Sequence, residues 1–255
     1  MFVIAVVSAK GGVGKTTVCA NLAAALHARA QPVLAIDLDP QNALQWHLGG
    51  LDQNDCKGIS ALTGNRTRLA GVSHVSPFAG SFVPYGNGGE ARRLRFERDL
   101  EQRDDWLRNK LHSANLAPDT IVLLDTPPGP SIYLKQAMQA ADFLLVVVLA
   151  DAASYSTLPE MEALIASYRG SSVASAYLLN QSNARMLGQD VLTLMADRLG
   201  ERMLPFVVPD SAAVEEALAY ERPVVLYQSH DPAAINLQAI ADFLIRTVGL
   251  HPRLS

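Results

Sequence analysis

Lys10-Gly11-Gly12-Val13-Gly14-Lys15-Thr16-Thr17 decides the fold. It follows the apolar run Val3-Ile4-Ala5-Val6-Val7. It precedes an alanine- and leucine-rich segment with helical spacing, Thr17 to Ala30, that Gln31-Pro32 ends. Strand, tight glycine loop and helix start, in that order, make a phosphate cradle. Glycines let successive backbone N–H groups turn toward one anion, and the helix start adds unpaired N–H groups and the positive end of its dipole. In the pattern G-x-x-x-x-G-K-[ST], Lys15 takes the β- and γ-phosphates and the Thr16 hydroxyl takes Mg²⁺. Gly11, Gly12, Val13, Gly14 and Thr17 complete the cradle. A glycine turn with incidental lysines explains the stretch less well, because glycine, lysine and hydroxyl all stand at the required offsets.

The stretch departs from that pattern in one respect. Ala9 stands where the first glycine belongs, and a second lysine, Lys10, precedes the glycine pair. This K-G-G-x-G-K-T form resembles the deviant Walker A motif of the ParA/MinD family of dimeric ATPases. The resemblance implies that Lys10 reaches the partner subunit's nucleotide across a dimer interface. A triphosphate carries more charge than one lysine, one Mg²⁺ and backbone dipoles neutralise, so a lysine supplied in trans would act much as an arginine finger does.

Two further runs surround the cradle. Val33-Leu34-Ala35-Ile36 reads as a buried central strand and leads into Asp37-Leu38-Asp39-Pro40-Gln41. Carboxylates at the carboxyl end of such a strand face the crevice where α/β sheets place ligands. By the same resemblance this is switch I, with Asp39 on the attacking water and Asp37 near the Mg²⁺ shell; for Asp37, simple strand termination is an equal reading. Thr120 to Leu124 is a second apolar run, ending in Asp125-Thr126-Pro127-Pro128-Gly129. It has the Walker B shape, a buried strand aiming one carboxylate at Mg²⁺, acting through a retained water. Pro127 and Gly129 fall in the segment that resembles switch II.

The remainder alternates strand and helix: strand Phe143 to Leu149, helix Ser154 to Tyr168, strand Val173 to Leu179, helix Ala184 to Leu199, strand Met203 to Val208, then helices Ser211 to Tyr220 and Ala233 to Val248. Asn180 stands at one strand end and Pro209-Asp210 at the next. The resemblance makes these three an adenine site, against plain strand termination. Residues 42 to 90 give little beyond a short helix at Trp46–Leu48 and a strand at Ser81–Pro84, broken by Gly49, Gly50, Gly58, Gly64 and Gly71. From Glu90 to Ala114 a charged helix mixes both signs, as a solvated face does, with partner docking as the other reading.

The expected fold is a single α/β P-loop domain over residues 1–255, a mostly parallel sheet with helices on both faces. With 49% hydrophobic and 18% charged residues the chain is a compact enzyme type. A net charge of −4 gives no support for nucleic acid as a partner. Two cysteines, Cys19 and Cys56, make neither a disulfide framework nor a zinc site and suit a reducing cytoplasm. The longest apolar run, Phe143 to Ala150, is far below the roughly 18 residues of a membrane span. The N-terminus lacks a basic n-region and reads as no signal peptide.

Asp39-Pro40-Gln41-Asn42-Ala43-Leu44, Asp125 to Pro130 and Leu149 to Tyr155 are most similar to the cellulose-biosynthesis (BcsQ/YhjQ) branch of the family. That branch implies an ATP- and Mg²⁺-dependent homodimer, cytoplasmic and peripheral to the inner membrane through components of a cellulose secretion system. The other members imply partitioning or positioning instead. A permanently ATP-bound scaffold is a further alternative, disfavoured by the water-positioning Asp39.

Overall fold

The computed structural model describes residues 1–50, 56–62, 68–169, 173–182 and 186–250. Its centre is β1 (Phe2–Val7), every residue of which is buried. The chain continues through α1 (Lys15–His27), β2 (Val33–Asp37) and α2 (Leu44–His47) to β3 (His74–Ser76) and β4 (Gly80–Val83). Then come α3 (Gly89–Glu101), α4 (Trp106–His112), β5 (Ile121–Asp125), α5 (Ile132–Ala140), β6 (Phe143–Leu149) and α6 (Ala152–Arg169). The chain closes with β7 (Ala174–Ser182), α7 (Met186–Leu199), β8 (Met203–Pro209), α8 (Ala212–Ala219), α9 (Val224–Tyr227) and α10 (Pro232–Leu250). The sheet runs β3-β4-β2-β5-β1-β6-β7-β8, and every pairing is parallel except β3 with β4.

Strand alternation divides the core in two. Phe2, Ile4 and Val6 of β1 face one way, into the layer of α1 and α10. Val3, Ala5 and Val7 face the other, toward α3 to α7. A strand buried on both faces has no polar side, which is why the parallel strands read as continuous apolar runs. β1 sits between β5 and β6, where the order reverses, so the loop after it opens into the crevice at the strands' carboxyl ends.

The expected strands and the α/β class are present. Three expectations need correcting. Helix α1 stops at His27 rather than Ala30, because Ala30 takes a left-handed φ of 56° and the Gln31 N–H returns to Leu26 O at 3.1 Å. The single charged helix over Glu90 to Ala114 is two helices. The buried Gln136 amide donates to Leu100 O and Arg103 O, and its oxygen accepts the Leu107 N–H, so the break is satisfied from α5. The turn lets Trp106 swing back onto Phe96, ring centroids 5.1 Å apart. A short helix, α9, lies in the stretch between the last two expected helices. Gly64 and the first two residues of the expected 184–199 helix lie outside the described residues.

Candidate functional site: a phosphate cradle beside a buried carboxylate pair

The loop after β1 adopts the cradle. Gly12 and Gly14 have φ of 74° and 85°. Gly14 caps α1 in left-handed geometry, and a Cβ there would lie 2.4 Å from the Asn180 amide nitrogen, so only glycine fits. Val13 points into the core and anchors the loop. No side chain caps α1 and no acidic residue occupies its first turn, which leaves those N–H groups and the dipole for an anion. Lys15, 7% exposed, donates to Ser8 Oγ at 2.9 Å, and the Ser8 hydroxyl donates to Lys10 O at 2.6 Å. Burial pulls the Lys15 ammonium below the ordinary lysine range, and the Asp125 and Asp39 carboxylates oppose that pull.

Asp37 and Asp125 face each other across the β2–β5 register, and both are fully buried. Two adjacent carboxylates out of water are costly unless something compensates them. Asp37 is compensated in part: its Oδ1 accepts the Asp39 N–H at 2.9 Å and its Oδ2 the Leu44 N–H at 3.0 Å, while burial and the facing Asp125 still hold its carboxyl well above the ordinary carboxylate range. Those bonds fix the loop that carries Asp39. They also let Asp37 brace switch I. Asp125 is compensated less: among the described residues neither of its oxygens completes a well-formed hydrogen bond, and the Thr16 hydroxyl and Thr126 N–H only lie near enough to favour its charged form. Burial pushes its carboxyl up to about 7, although the nearby Thr16 hydroxyl and Lys15 ammonium favour the charged form. An orphaned carboxylate beside a threonine hydroxyl is an all-oxygen donor set, and it fits Mg²⁺ with several waters retained.

The sign of the resulting pH dependence follows. Between the ordinary carboxylate value of 3.8 and about 7, folded protein keeps a proton that the unfolded chain has lost, so stability falls as pH rises through that window. Asp125→Asn removes the penalty. Nucleotide-free variant should melt several degrees above wild type near pH 8, with the gap closing as pH falls toward about 4. Thermal unfolding across that range checks this, and equal melting temperatures near pH 8 would contradict it.

The two switch segments pack on the cradle. Asp39 is half-buried and its Oδ1 accepts the Gln41 N–H at 2.9 Å, a local turn that holds its carboxylate at the crevice edge. Thr126 donates to Val6 O at 2.8 Å, and the Gly129 N–H to Ser8 O at 3.2 Å with φ 68°. Pro127 is buried between them. Lys10 pairs with Asp151 at 2.8 Å, the two side chains 34% and 40% exposed. Asp151 Oδ1 also accepts the Ser154 N–H in the first turn of α6, at 2.6 Å. Asn180 is buried and donates its amide to Val13 O at 2.8 Å, bracing the cradle from behind. Pro209 pairs with Ser182, and the exposed Asp210 donates its N–H to Ser182 O at 2.9 Å, which puts both one strand beyond Asn180.

Sequence reasoning missed Ser8 and Asp151. A hydroxyl directly after the apolar run was a usable signal for Ser8. Nothing local marks Asp151, which lies 141 residues from Lys10.

Fold and site together define the class, a P-loop nucleotide-binding protein of the ParA/MinD type. The family model described as cellulose biosynthesis protein BcsQ matches residues 1–245, and the chain belongs to that family. It is 31% identical over 240 residues to the chromosome partitioning protein ParA of Caulobacter vibrioides, covering 88% of this chain and 86% of that one. It is 27% identical over 257 residues to the cellulose biosynthesis protein BcsQ of Salmonella typhimurium, covering 96% and 94%. The septum site-determining protein MinD of Pyrococcus horikoshii, solved with Mg-ADP, superposes with a TM-score of 0.79 over 99% of both chains at 21% identity, a likeness of fold. Among the described residues no helix is long and apolar enough to cross a membrane.

Proposed function

We propose that this chain is an ATP-hydrolysing switch that works as a homodimer in its ATP state, its 255 residues forming one catalytic domain. The observation that carries the reading is the pairing of the buried cradle lysine, Lys15, with a buried carboxylate, Asp125, that completes no hydrogen bond among the described residues. ATP places its phosphates on the N–H groups of residues 11–17 and on Lys15. Thr16 and Asp125 would hold Mg²⁺, which when bound would supply positive charge against the phosphates. Asp39 orients the attacking water, and ATP and water give ADP and phosphate. Asn180, Pro209 and Asp210 line the adenine end. Pro127 and Gly129 carry the change of γ-phosphate state into switch II, since Gly129 is bonded directly to the loop at Ser8.

Lys10 completes the switch. Its ion pair with Asp151 parks it within its own subunit, and a partially exposed pair of this kind is worth at most about 1 kcal/mol. The phosphates of the partner's ATP outbid it easily. Asp151→Asn keeps the acceptor for the Ser154 N–H and drops the charge; since two such pairs are released per dimer, it should favour the ATP dimer by up to about 30-fold. Dimer dissociation constants from sedimentation, with ATP and Mg²⁺, measure this; a weaker dimer would mean that Asp151 helps Lys10 across the interface.

Membership of the BcsQ family supports a role in assembling, localising or regulating a bacterial cellulose synthesis complex, from the cytoplasmic face of the inner membrane and through protein partners. The ParA relative, the more identical of the two named, favours cargo positioning as the second reading. Multiple-turnover phosphate release tests the switch itself. Steady turnover, raised by membranes carrying the cellulose synthase, supports it. ATP held without turnover would make the chain a scaffold.

A further inference from the structure

A groove separate from the nucleotide site runs between the 3₁₀ turn Ile59–Ala61 and α3. One part, about 500 Å³, is lined by Ser60, Ala61, Arg92, Arg95 and Arg98. It adjoins a second part of about 300 Å³ that shares Ser60 and Arg92 and reaches Tyr85, Asn87 and Pro40. The three arginines recur at every third residue of α3, a span of about 9 Å at 1.5 Å per residue. Arg95 and Arg98 are exposed, and among the described residues none of the three forms an ion pair. Ser60 lines both parts of the groove. It is 1% exposed and its Oγ has no hydrogen-bond partner among the described residues, an unsatisfied polar group in the wall of the groove.

The groove is also wired to switch I. Arg92 donates to Asn87 O at 2.8 Å. Asn42, four residues after Leu38 in the loop braced by Asp37, accepts the Gly86 N–H at 3.2 Å and reaches Asn87 Oδ1 at 3.4 Å. The wall itself is tightly built: a Cβ on Gly86 would lie 2.4 Å from the Gly58 backbone nitrogen, and Ser60 N–H donates to Tyr85 O at 3.1 Å. A ligand that draws on Arg92 therefore pulls on the same short chain of residues that positions the segment carrying Asp39.

The geometry points to a docking groove for an extended, acidic segment of a protein partner, with occupancy felt at switch I. Three guanidiniums that form no ion pair among the described residues match carboxylates better than any neutral surface. At about 3.3 Å per residue, an extended strand passes the arginine row with three or four residues, and the adjoining part accepts more. Apolar lining at Ala61, Pro40 and Tyr85 gives side chains a place to sit, and Asp99 and Glu90 in the lining weigh against a polyphosphate backbone. The coupling to hydrolysis rests on the switch reading above; the binding does not.

The test uses the full chain and a fluorescein-labelled oligo-glutamate peptide of about eight residues. Fluorescence anisotropy should show binding to wild type and at least a tenfold loss with Arg95→Glu/Arg98→Glu. A parallel loss is expected with Arg95→Gln/Arg98→Gln, and little change with the control Arg222→Glu/Arg246→Glu. Thermal melting of the variants should match wild type, both positions being exposed. In a second arm the peptide should change phosphate release from wild type and leave it unchanged in the arginine variants. Failure of the peptide to bind, or equal binding to all proteins, overturns the groove. Tight binding of labelled oligodeoxythymidylate, lost with the same arginines while the peptide stays unbound, would overturn the peptide in favour of nucleic acid. Peptide binding with no phosphate release under any condition keeps the groove and counts against the switch.

Discussion

Lys15→Ala should weaken ATP binding by at least roughly 100-fold, about 3 kcal/mol, while the protein stays folded. The size comes from removing a charged donor aimed at two phosphate groups in a site that excludes water, where such a bond is worth about twice a neutral one. The preserved fold follows from the apo geometry. Lys15 is buried with only the Ser8 hydroxyl as its bonded partner among the described residues, and burial already pulls it toward its neutral form. Its truncation relieves an ammonium that the nucleotide-free protein holds at a cost. Calorimetric titration with ATP and Mg²⁺ checks the affinity. A value within a few-fold of wild type would remove Lys15 from the cradle.

Asp39→Ala should do the opposite. Affinity for ATP should hold within a few-fold and turnover should fall by about 100-fold or more, the usual scale for losing a group that positions or activates a nucleophile. The carboxylate sits on a loop whose shape does not depend on it alone. Asp37 holds the Asp39 and Leu44 N–H groups, and the Asn42 N–H returns to Asp39 O at 2.8 Å. What the variant loses locally is the bond from Gln41 N–H to Oδ1, worth about 1 kcal/mol. Single-turnover and steady-state phosphate release separate binding from chemistry; normal turnover would take Asp39 out of the mechanism.

The central fold and cradle were legible because their signals are local. Parallel strands buried on both faces, such as β1 and β5, can only be apolar runs. Gly14 and Lys15 must stand at fixed offsets for a loop to turn onto an anion. Residues 42 to 90 were not legible, because their structure is settled by distant partners. Ser76 Oγ donates to Leu48 O at 2.9 Å, and the Ile59 N–H reaches Pro84 O at 2.9 Å. These short pieces have no period of their own. The break between α3 and α4 depends on Gln136, about thirty residues on, which no helical pattern reveals. The site shows the same division. Asp125 was found from its strand, whereas the isolation of its carboxylate and the bracing role of Asp37 emerge only when two strands lie side by side. Lys10 was found from the motif, but its resting partner Asp151 was not.

That resting state bears on whether ATP draws two subunits together through a lysine supplied in trans. Lys10 sits within reach of Asp151 in its own subunit and needs only a stronger anion opposite to leave it. Sedimentation velocity of Asp39→Ala protein, which holds ATP unhydrolysed, is the most direct measurement. With ATP and Mg²⁺ the protein should run as a dimer, and with ADP or no nucleotide mainly as a monomer. Adding Lys10→Ala should return it toward monomer with ATP still bound. An oligomeric state indifferent both to nucleotide and to Lys10 would contradict the account.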